Sequence, residues 1–472
     1  MNVAEYGKPL QRTETPIPGL TVWDIPVHGD NRGWFKENWQ REKMVAAGLP
    51  DFAPVQNNVS FNESVGTTRG LHAEPWDKWV SVATGRVFGA WVDLREGPNF
   101  GTSFTVEIDP SVAVFVPRGV ANGFQTLEPN TAYSYLVNDH WSPDASYAFV
   151  NVDDPAAAIE WPIPLSDAIL SEKDRDHPAL DAALSVQPKR MLVVGAGGQL
   201  GQALREAYRG DDTVEFAERE ELPLDAASLW SARRWNDYST IVNAAAYTAV
   251  DAAESADGRA QAWATNASAV AELARIAQAH AITLVHVSSD YVFDGSSTRP
   301  YREDDQLSPL GVYGQSKAAG DIACRLAERH YIVRTSWVIG SGRNFVSTMR
   351  SLAEKGVDPR VVDDQLGRLT FTTEIARGIR HLLEVGAPFG TYNLTGAGPV
   401  RSWADIAREV FAATGHSPDR ITGVSTADYF ASATAPVAPR PSNSTLDTSK
   451  IEATGFVPAD ALESLHAYLR SR

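Results

Sequence analysis

"RMLVVGAGGQLGQAL", from Arg190 to Leu204, reads as an apolar strand, a glycine turn and the start of an amphipathic helix. Gly195, Gly198 and Gly201 recur every three residues directly after "MLVV". The first glycine permits the tight turn, the second lets backbone approach a pyrophosphate, and the third lets helix and strand pack closely. The spacing is GxxGxxG rather than GxGxxG. A strand, such a turn and a helix in succession predict a nucleotide-binding α/β fold with a dinucleotide at the helix N-terminus. Segments of this kind usually open a chain, yet 189 residues come first here.

Those residues have a different texture. Between 15 and 165 the chain carries short β-type runs with turn residues between them: "TVWDIPV", "KWVSVATGRVFGAWVDLR", "SFTVEI", "AVFVPRG", "AYSYLV" and "YAFVNV". That pattern predicts an antiparallel sandwich or barrel. After Arg190, apolar strands alternate with Ala-rich helical stretches, as in βαβ units; one such helix is expected near 254–280. The segment "HPALDAALSVQPK" (177–189) lies at the joint, and its "ALDAAL" suits a short helix. The expected division is 1–185 and 189–472.

A chain of 472 residues suits two or more domains. The net charge of −17 opposes binding to nucleic-acid backbones, and no basic patch stands out. There is no apolar run long enough to span a membrane and no secretion signal at the start. Cys324 is the single cysteine, so no intrachain disulfide forms, which suits the cytoplasm.

Two further motifs follow the glycine turn. "YGQSK" places Tyr313 and Lys317 four apart, on one face of a helix. A lysine ammonium there is expected to lower the phenol pKa and make Tyr313 a usable acid for reducing a carbonyl. "VHVSSDYVFDG" ends a predicted strand at Ser288 and Ser289, where ligands gather in open α/β sheets. With "VNAAAYTAVDAAE", "SPLGVYGQSKAAGD", "VRTSWVIG", "VVDDQLGRLT" and "RPSNSTLDTSK", the second half resembles the dTDP-4-dehydrorhamnose reductases, of the extended short-chain dehydrogenase type with a Rossmann fold. The resemblance implies Ser289, Tyr313 and Lys317 as the catalytic trio, with Ser289 where the family commonly has Thr. It implies NADPH or NADH held by Gly195, Gly198, Gln199, Leu200, Gly201, Asp225, Ala244 and Ala245. Arg219 suits a 2′-phosphate, or is a solvated charge. Trp337 and Asn344 suit substrate contact, with core packing and capping as the competing explanations. Glu254 matches an acidic family position, and Arg368 stands where Pro is usual.

In the first half, "TTRGLHAEPWDKWV" gathers Arg69, His72 and Lys78. His72 has no partner histidine close in sequence, so no metal is expected. With "GDNRGWFKENW", "VQNNVSF", "VDLREGPNFGT", "FVPRGVANGF", "YSYLVNDHWSP" and "EWPIPLSDAILSEKD", this half resembles the dTDP-4-dehydrorhamnose 3,5-epimerases, metal-free cupins of the jelly-roll type. The resemblance implies His72 as base, Asp174 as its carboxylate partner, Tyr135 as acid on the opposite sugar face, and Lys78 as the partner of an enolate oxygen. It implies nucleotide or sugar contacts from Arg32, Phe35, Glu37, Gln56, Asn58, Arg69, Asn122 and Trp141. Three departures stand out: Asn122 replaces a family His, Gly89 stands where Asp is common, and the His72–Lys78 loop is short.

Together the halves imply an all-β cupin followed by a Rossmann reductase, a bifunctional enzyme that epimerises a dTDP-4-keto-6-deoxy sugar and then reduces it. The resemblance also implies a homodimer. The alternatives are a 3-epimerase and ketoreductase serving another dTDP-deoxysugar, and a non-catalytic cofactor-binding subunit.

Overall fold

The computed structural model describes residues 7–224, 228–434 and 436–471. The chain divides into two units, Met1–Pro188 and Lys189–Arg472. No helix among the described residues is long and apolar enough to cross a membrane.

The first unit is built from two antiparallel sheets. One has six strands in the order Gln11–Glu14, Thr21–Asp24, Val112–Val116, Lys78–Thr84, Thr131–Val137 and Gln56–Asn62. The other has five, in the order Ala148–Phe149, Thr68–Ala73, Val120–Thr126, Val87–Asp93 and Ser103–Ile108. Side chains alternate across each strand, so one face of each sheet turns inward. Val80, Val82, Trp91, Val114, Phe124 and Tyr133 meet there in one buried cluster drawn from both sheets. Gln56–Asn62 has no apolar stripe to announce it: its outer face carries Asn57, Val59 and Phe61, all exposed, and its inner face is polar. The expected short helix at the joint is a single 3-10 turn, Leu180–Ala182.

The second unit has a six-stranded parallel sheet. Its order is Val214–Ala217, Arg190–Val194, Tyr238–Asn243, Thr283–Ser289, His330–Thr335 and Gly390–Asn393. Helices cover both faces, so each strand is apolar on both sides. Leu192, Ile241, Leu284 and Ile332 pack with the helix Ala269–Ala279. Val193, Val242, Val285 and Val333 pack with Thr372–Glu384 on the other face. The strand order reverses beside Arg190–Val194, and the crevice at that reversal is where open α/β sheets bind ligands. A smaller lobe with its own core contains the helices Phe345–Glu354, Trp403–Ala413 and Ala461–Arg470.

Candidate active sites

In the first unit, His72 and Tyr135 come from different sheets, His72 from Thr68–Ala73 and Tyr135 from Thr131–Val137. Both line a polar cavity with Arg69, Glu74, Lys78, Asn122, Tyr133 and Asp174. A neighbouring cavity shares His72, Glu74 and Tyr135 and is walled by Gln56, Asn58, Trp76, Trp141, Phe149 and Lys173. The first cavity thus brings an imidazole and a phenol together from two sheets, and the second adds aromatic and amide side chains.

His72 Nε2 lies 2.9 Å from Asp174 Oδ1. An ionised carboxylate can only accept, so Nε2 carries the proton and Nδ1 is left as the basic nitrogen. Asp174 is held by a one-turn helix, Glu172–Arg175, whose cap Ser171 accepts from the Asp174 amide at 3.1 Å. Burial alone would raise the Asp174 carboxyl, but bonds to His72 and Ser171 outweigh it and hold the pKa below its ordinary value. Lys78 is almost fully buried and bonds both Glu74 and Asn122. Burial pushes the Tyr135 phenol up, with the Glu74 charge adding to it, so Tyr135 stays protonated at neutral pH.

No histidine is close to His72 in sequence, but the fold brings His177 beside it. His177 follows Asp174 by three residues, and its Nε2 lies 3.9 Å from Asp174 Oδ1. Its ring meets His72 edge-on at 5.1 Å and stacks on Phe149 at 4.8 Å. His72, Asp174 and His177 are of the donor types that hold a divalent cation. However, ligands around one zinc sit roughly 3.3 Å apart, given bonds of about 2.0 Å. The 2.9 Å His72–Asp174 spacing is that of a hydrogen bond.

Not every expected contact lines these cavities. Arg32, Phe35 and Glu37 belong to, or directly follow, the exposed hairpin Val27–Asp30 and Gly33–Lys36. There Arg32 pairs with Asp30 and Glu37 with Lys43. Gly89 leaves room for the indole of Trp91, which a Cβ would strike.

In the second unit, Gly195, Gly198, Arg219, Ala244 and Ala245 line one cleft at the sheet's reversal point. Gly195 has φ +78°, and a Cβ there would sit 2.6 Å from the Ala245 nitrogen. Gly201 lies against the carbonyls of Gly195 and Ala196, leaving no room for a side chain. The side chain of Leu200 turns into the core, while Gln199 lines a separate pocket with Gln202 and Tyr468. Asp225 lies outside the described residues. Glu218 follows the strand Val214–Ala217 directly, and its carboxylate lies beside the glycine turn, 3.6 Å from where a Cβ on Gly197 would sit.

Tyr313 and Lys317 share the helix Val312–Cys324, and Ser289 ends the strand Thr283–Ser289. Glu254 caps that helix, accepting from the Val312 amide at 2.8 Å, so this carboxylate orients the helix that carries Tyr313. The expected lowering of the Tyr313 pKa is corrected. Burial, with Asp290 second, pushes it up to about 12, although Ser289 opposes the shift. Lys317 instead donates to the Val287 carbonyl at 2.7 Å. A protonated phenol is the form a general acid needs. The sequence reading also missed Asn266. It sits in a π-helical turn, Ala264–Ser268, bonds the Tyr247 backbone through both amide atoms and reaches Ser316 Oγ at 3.0 Å. It lies in a mid-helix widening, which sequence periodicity does not encode.

Trp337 and Asn344 are engaged in structure. Trp337 is buried and stacks on Trp403 at 3.7 Å. Asn344 caps Phe345–Glu354 in a capping box and donates to Tyr468 Oη at 2.8 Å. Arg368, in place of the usual Pro, donates to the Gly398 carbonyl at 2.9 Å.

Comparison with known proteins divides the chain at the same joint. Residues 189–471 match the family model described as RmlD substrate binding domain, and residues 14–182 match dTDP-4-dehydrorhamnose 3,5-epimerase. A protein RmlC homolog from Streptococcus pyogenes is 54% identical over 192 residues, covering 39% of this chain and 96% of that protein. A dTDP-4-dehydrorhamnose reductase from Aggregatibacter actinomycetemcomitans is 37% identical over 303 residues, covering 59% of this chain and 99% of that protein. A crystal structure of the Bacillus anthracis dTDP-4-dehydrorhamnose reductase, in complex with NADP, superposes with a TM-score of 0.55 at 29% identity, covering 60% of this chain and 99% of that one.

Proposed function

The chain belongs to the dTDP-4-dehydrorhamnose reductase family through its second unit and to the RmlC epimerase family through its first, and from this we propose that it converts a dTDP-4-keto-6-deoxy-glucose to dTDP-L-rhamnose in two steps. The observation that carries the reading is that one chain holds two separate acid–base sets, His72–Asp174 with Tyr135 and Tyr313 with Ser289 and Lys317, each in its own unit.

The first set suits epimerisation beside a ketone. His72 Nδ1 removes a proton from the carbon next to the 4-keto group, and the electrons move onto the keto oxygen. Lys78, bonded to Glu74 and lining the same cavity, is the partner for that enolate oxygen. Tyr135 returns a proton from the opposite sheet, inverting the carbon. In the second unit, Gly195, Gly198, Ala244 and Ala245 would hold NADPH, which would supply the hydride when bound. Ser289 and Tyr313 hold the ketone, Tyr313 gives its proton to the oxygen, and Lys317 steadies the phenolate. Among the residues carried over, Gln56, Asn58, Arg69 and Trp141 suit the dTDP portion, because they line or adjoin the two cavities.

We also infer a cytoplasmic homodimer. Support for the dimer comes from the edge strand Gln56–Asn62, with Val59 and Phe61 exposed, and from the hairpin exposing Trp34 and Phe35. If Arg32, Phe35 and Glu37 contact nucleotide, a second copy's cavity is where they would do so.

The test is NMR product analysis after incubation with the 4-keto sugar nucleotide and NADPH in deuterated water. Deuterium at C3 and C5 of a rhamnose product is expected. Asn122, in the place of a family His and tied to Lys78, favours a second reading in which only C3 is inverted. Exchange at C3 alone would establish that reading over the first. Absence of NADPH oxidation would leave a cofactor-binding subunit.

A further inference from the structure

The reductase unit buries a histidine that the reaction described above does not use. His286 lies on Thr283–Ser289 and is fully buried. Its Nε2 is 3.5 Å from Lys317 Nζ, and its Nδ1 is 3.2 Å from Asn243 Nδ2. Gly320 makes room for this contact, since a Cβ there would meet His286 Nε2 at 3.3 Å. Asn243 is also fully buried and ends the strand Tyr238–Asn243.

The proton positions follow from the donors. The Ala245 amide lies 3.2 Å from Asn243 Oδ1 and can only donate. That fixes the Asn243 side chain with its NH2 toward His286, so Nδ1 must accept. Burial, reinforced by the Lys317 charge, holds His286 neutral. Its one proton therefore sits on Nε2, aimed at Lys317 Nζ. An ammonium has no lone pair to accept it; an amine has one. The arrangement favours the amine form of Lys317. Besides His286, Asp321 and Cys324 of its own helix act on Lys317, and both raise its pKa. Asp321 favours the ammonium, but its carboxylate is also bonded by Arg334 of the neighbouring strand at 2.9 Å. Burial brings the Lys317 pKa down to about 8 against that pull.

We propose that His286 is a positioning residue for Lys317, and that the buried chain Ala245–Asn243–His286–Lys317 ties the protonation of the lysine to the backbone lining the cofactor cleft. The proposal rests on the reductase reading. After Tyr313 has given its proton to the substrate oxygen, an N–H bond of Lys317 breaks and the Tyr313 O–H re-forms. The resulting amine accepts a hydrogen bond from His286 Nε2–H and is reprotonated by a solvent proton, the one proton that the reduction consumes.

Two measurements on the full-length protein test it. The first is the pH profile of kcat for NADPH-dependent reduction of a pre-epimerised 4-keto sugar nucleotide. His286→Leu removes the donor and should move the alkaline limb up by about one pH unit. His286→Gln can accept from Asn243 and donate to Lys317, so it should restore the wild-type limb. Equal loss of rate in both variants at every pH, with the limb unmoved, would overturn the proposal. The second is 15N NMR of histidine-labelled wild-type protein, with the His286 signals assigned by their loss in His286→Gln. A neutral ring with its proton on Nε2 is expected, and an Nδ1–H ring would overturn the proposal. This readout stands if His286→Leu does not fold. Failure of wild-type protein to oxidise NADPH would refute the reductase reading, while the tautomer would still be decided.

Discussion

Asp174→Asn removes the charge behind His72 and nearly nothing else, because the two side chains are close in size. The bond that loses its charge spans 2.9 Å, and the Asp174 side chain is 8% exposed. A hydrogen bond to a charged group is worth about 1.5–3 kcal/mol in such a setting. At about 1.4 kcal/mol for each factor of ten, epimerisation should slow by roughly 10- to 150-fold. An amide also presents an N–H to His72 Nε2 as readily as an oxygen, which would reverse the tautomer and deepen the loss. The assay is the rate of deuterium incorporation from solvent into the 4-keto sugar nucleotide, followed by NMR without NADPH. Reduction of pre-epimerised substrate by the same variant is the control and should be unchanged. The sign of the pH effect is also set. The Asp174 carboxyl sits below its ordinary value, so its contribution is complete above about pH 4, the unfolded value, and is lost as pH falls through the lower folded pKa. The variant should lack that acid limb. An exchange rate within threefold of wild type would refute the dyad. Equal loss of exchange and reduction, with unchanged melting, would refute two independent sites.

Tyr313→Phe should cut reduction by roughly 10²- to 10⁴-fold, the usual size of general-acid catalysis, while solvent exchange at the sugar continues; parallel rates from NADPH absorbance and NMR check this. In wild-type protein, reduction should weaken as pH rises through about 8, where Lys317 loses its proton. Gly201→Ala places a methyl 2.5 Å from the Ala196 carbonyl oxygen and should cost the second unit about 1–3 kcal/mol, seen as a lower melting transition and weaker NADPH binding with exchange intact. Arg334→Met strands Asp321, since both side chains of that pair are fully buried, and should destabilise the same unit by about 3–5 kcal/mol in denaturant titration. Burial raises the Asp290 pKa to about 6, so its stabilising contribution is present below about pH 4 and lost as pH rises to 6; Asp290→Asn should flatten stability across that window.

The two architectures were legible because their signals are local. A glycine turn after an apolar strand, or a tyrosine and a lysine four apart, fixes a backbone shape or a helix face within a few residues. The strand Gln56–Asn62 was harder to read because its inward face is polar, lining the second cavity with Gln56 and Asn58. The Tyr313 pKa was misread for a related reason: the spacing predicts the lysine's proximity but not how deeply the phenol is buried.

Residue pattern and spacing were enough for the two fold classes, their order, and the types of acid, base and cofactor turn each carries. Tertiary structure alone decided how those groups are charged and held. His72 meets Asp174 across 102 residues of chain, and His177 joins them only because a one-turn helix folds back over Phe149. His286 meets Asn243 only because neighbouring parallel strands pair them, and it meets Lys317 only because the helix Val312–Cys324 packs against that strand. Pattern and spacing report what the backbone does locally. Protonation depends on burial and on partners distant in sequence, and those exist only once the chain has folded.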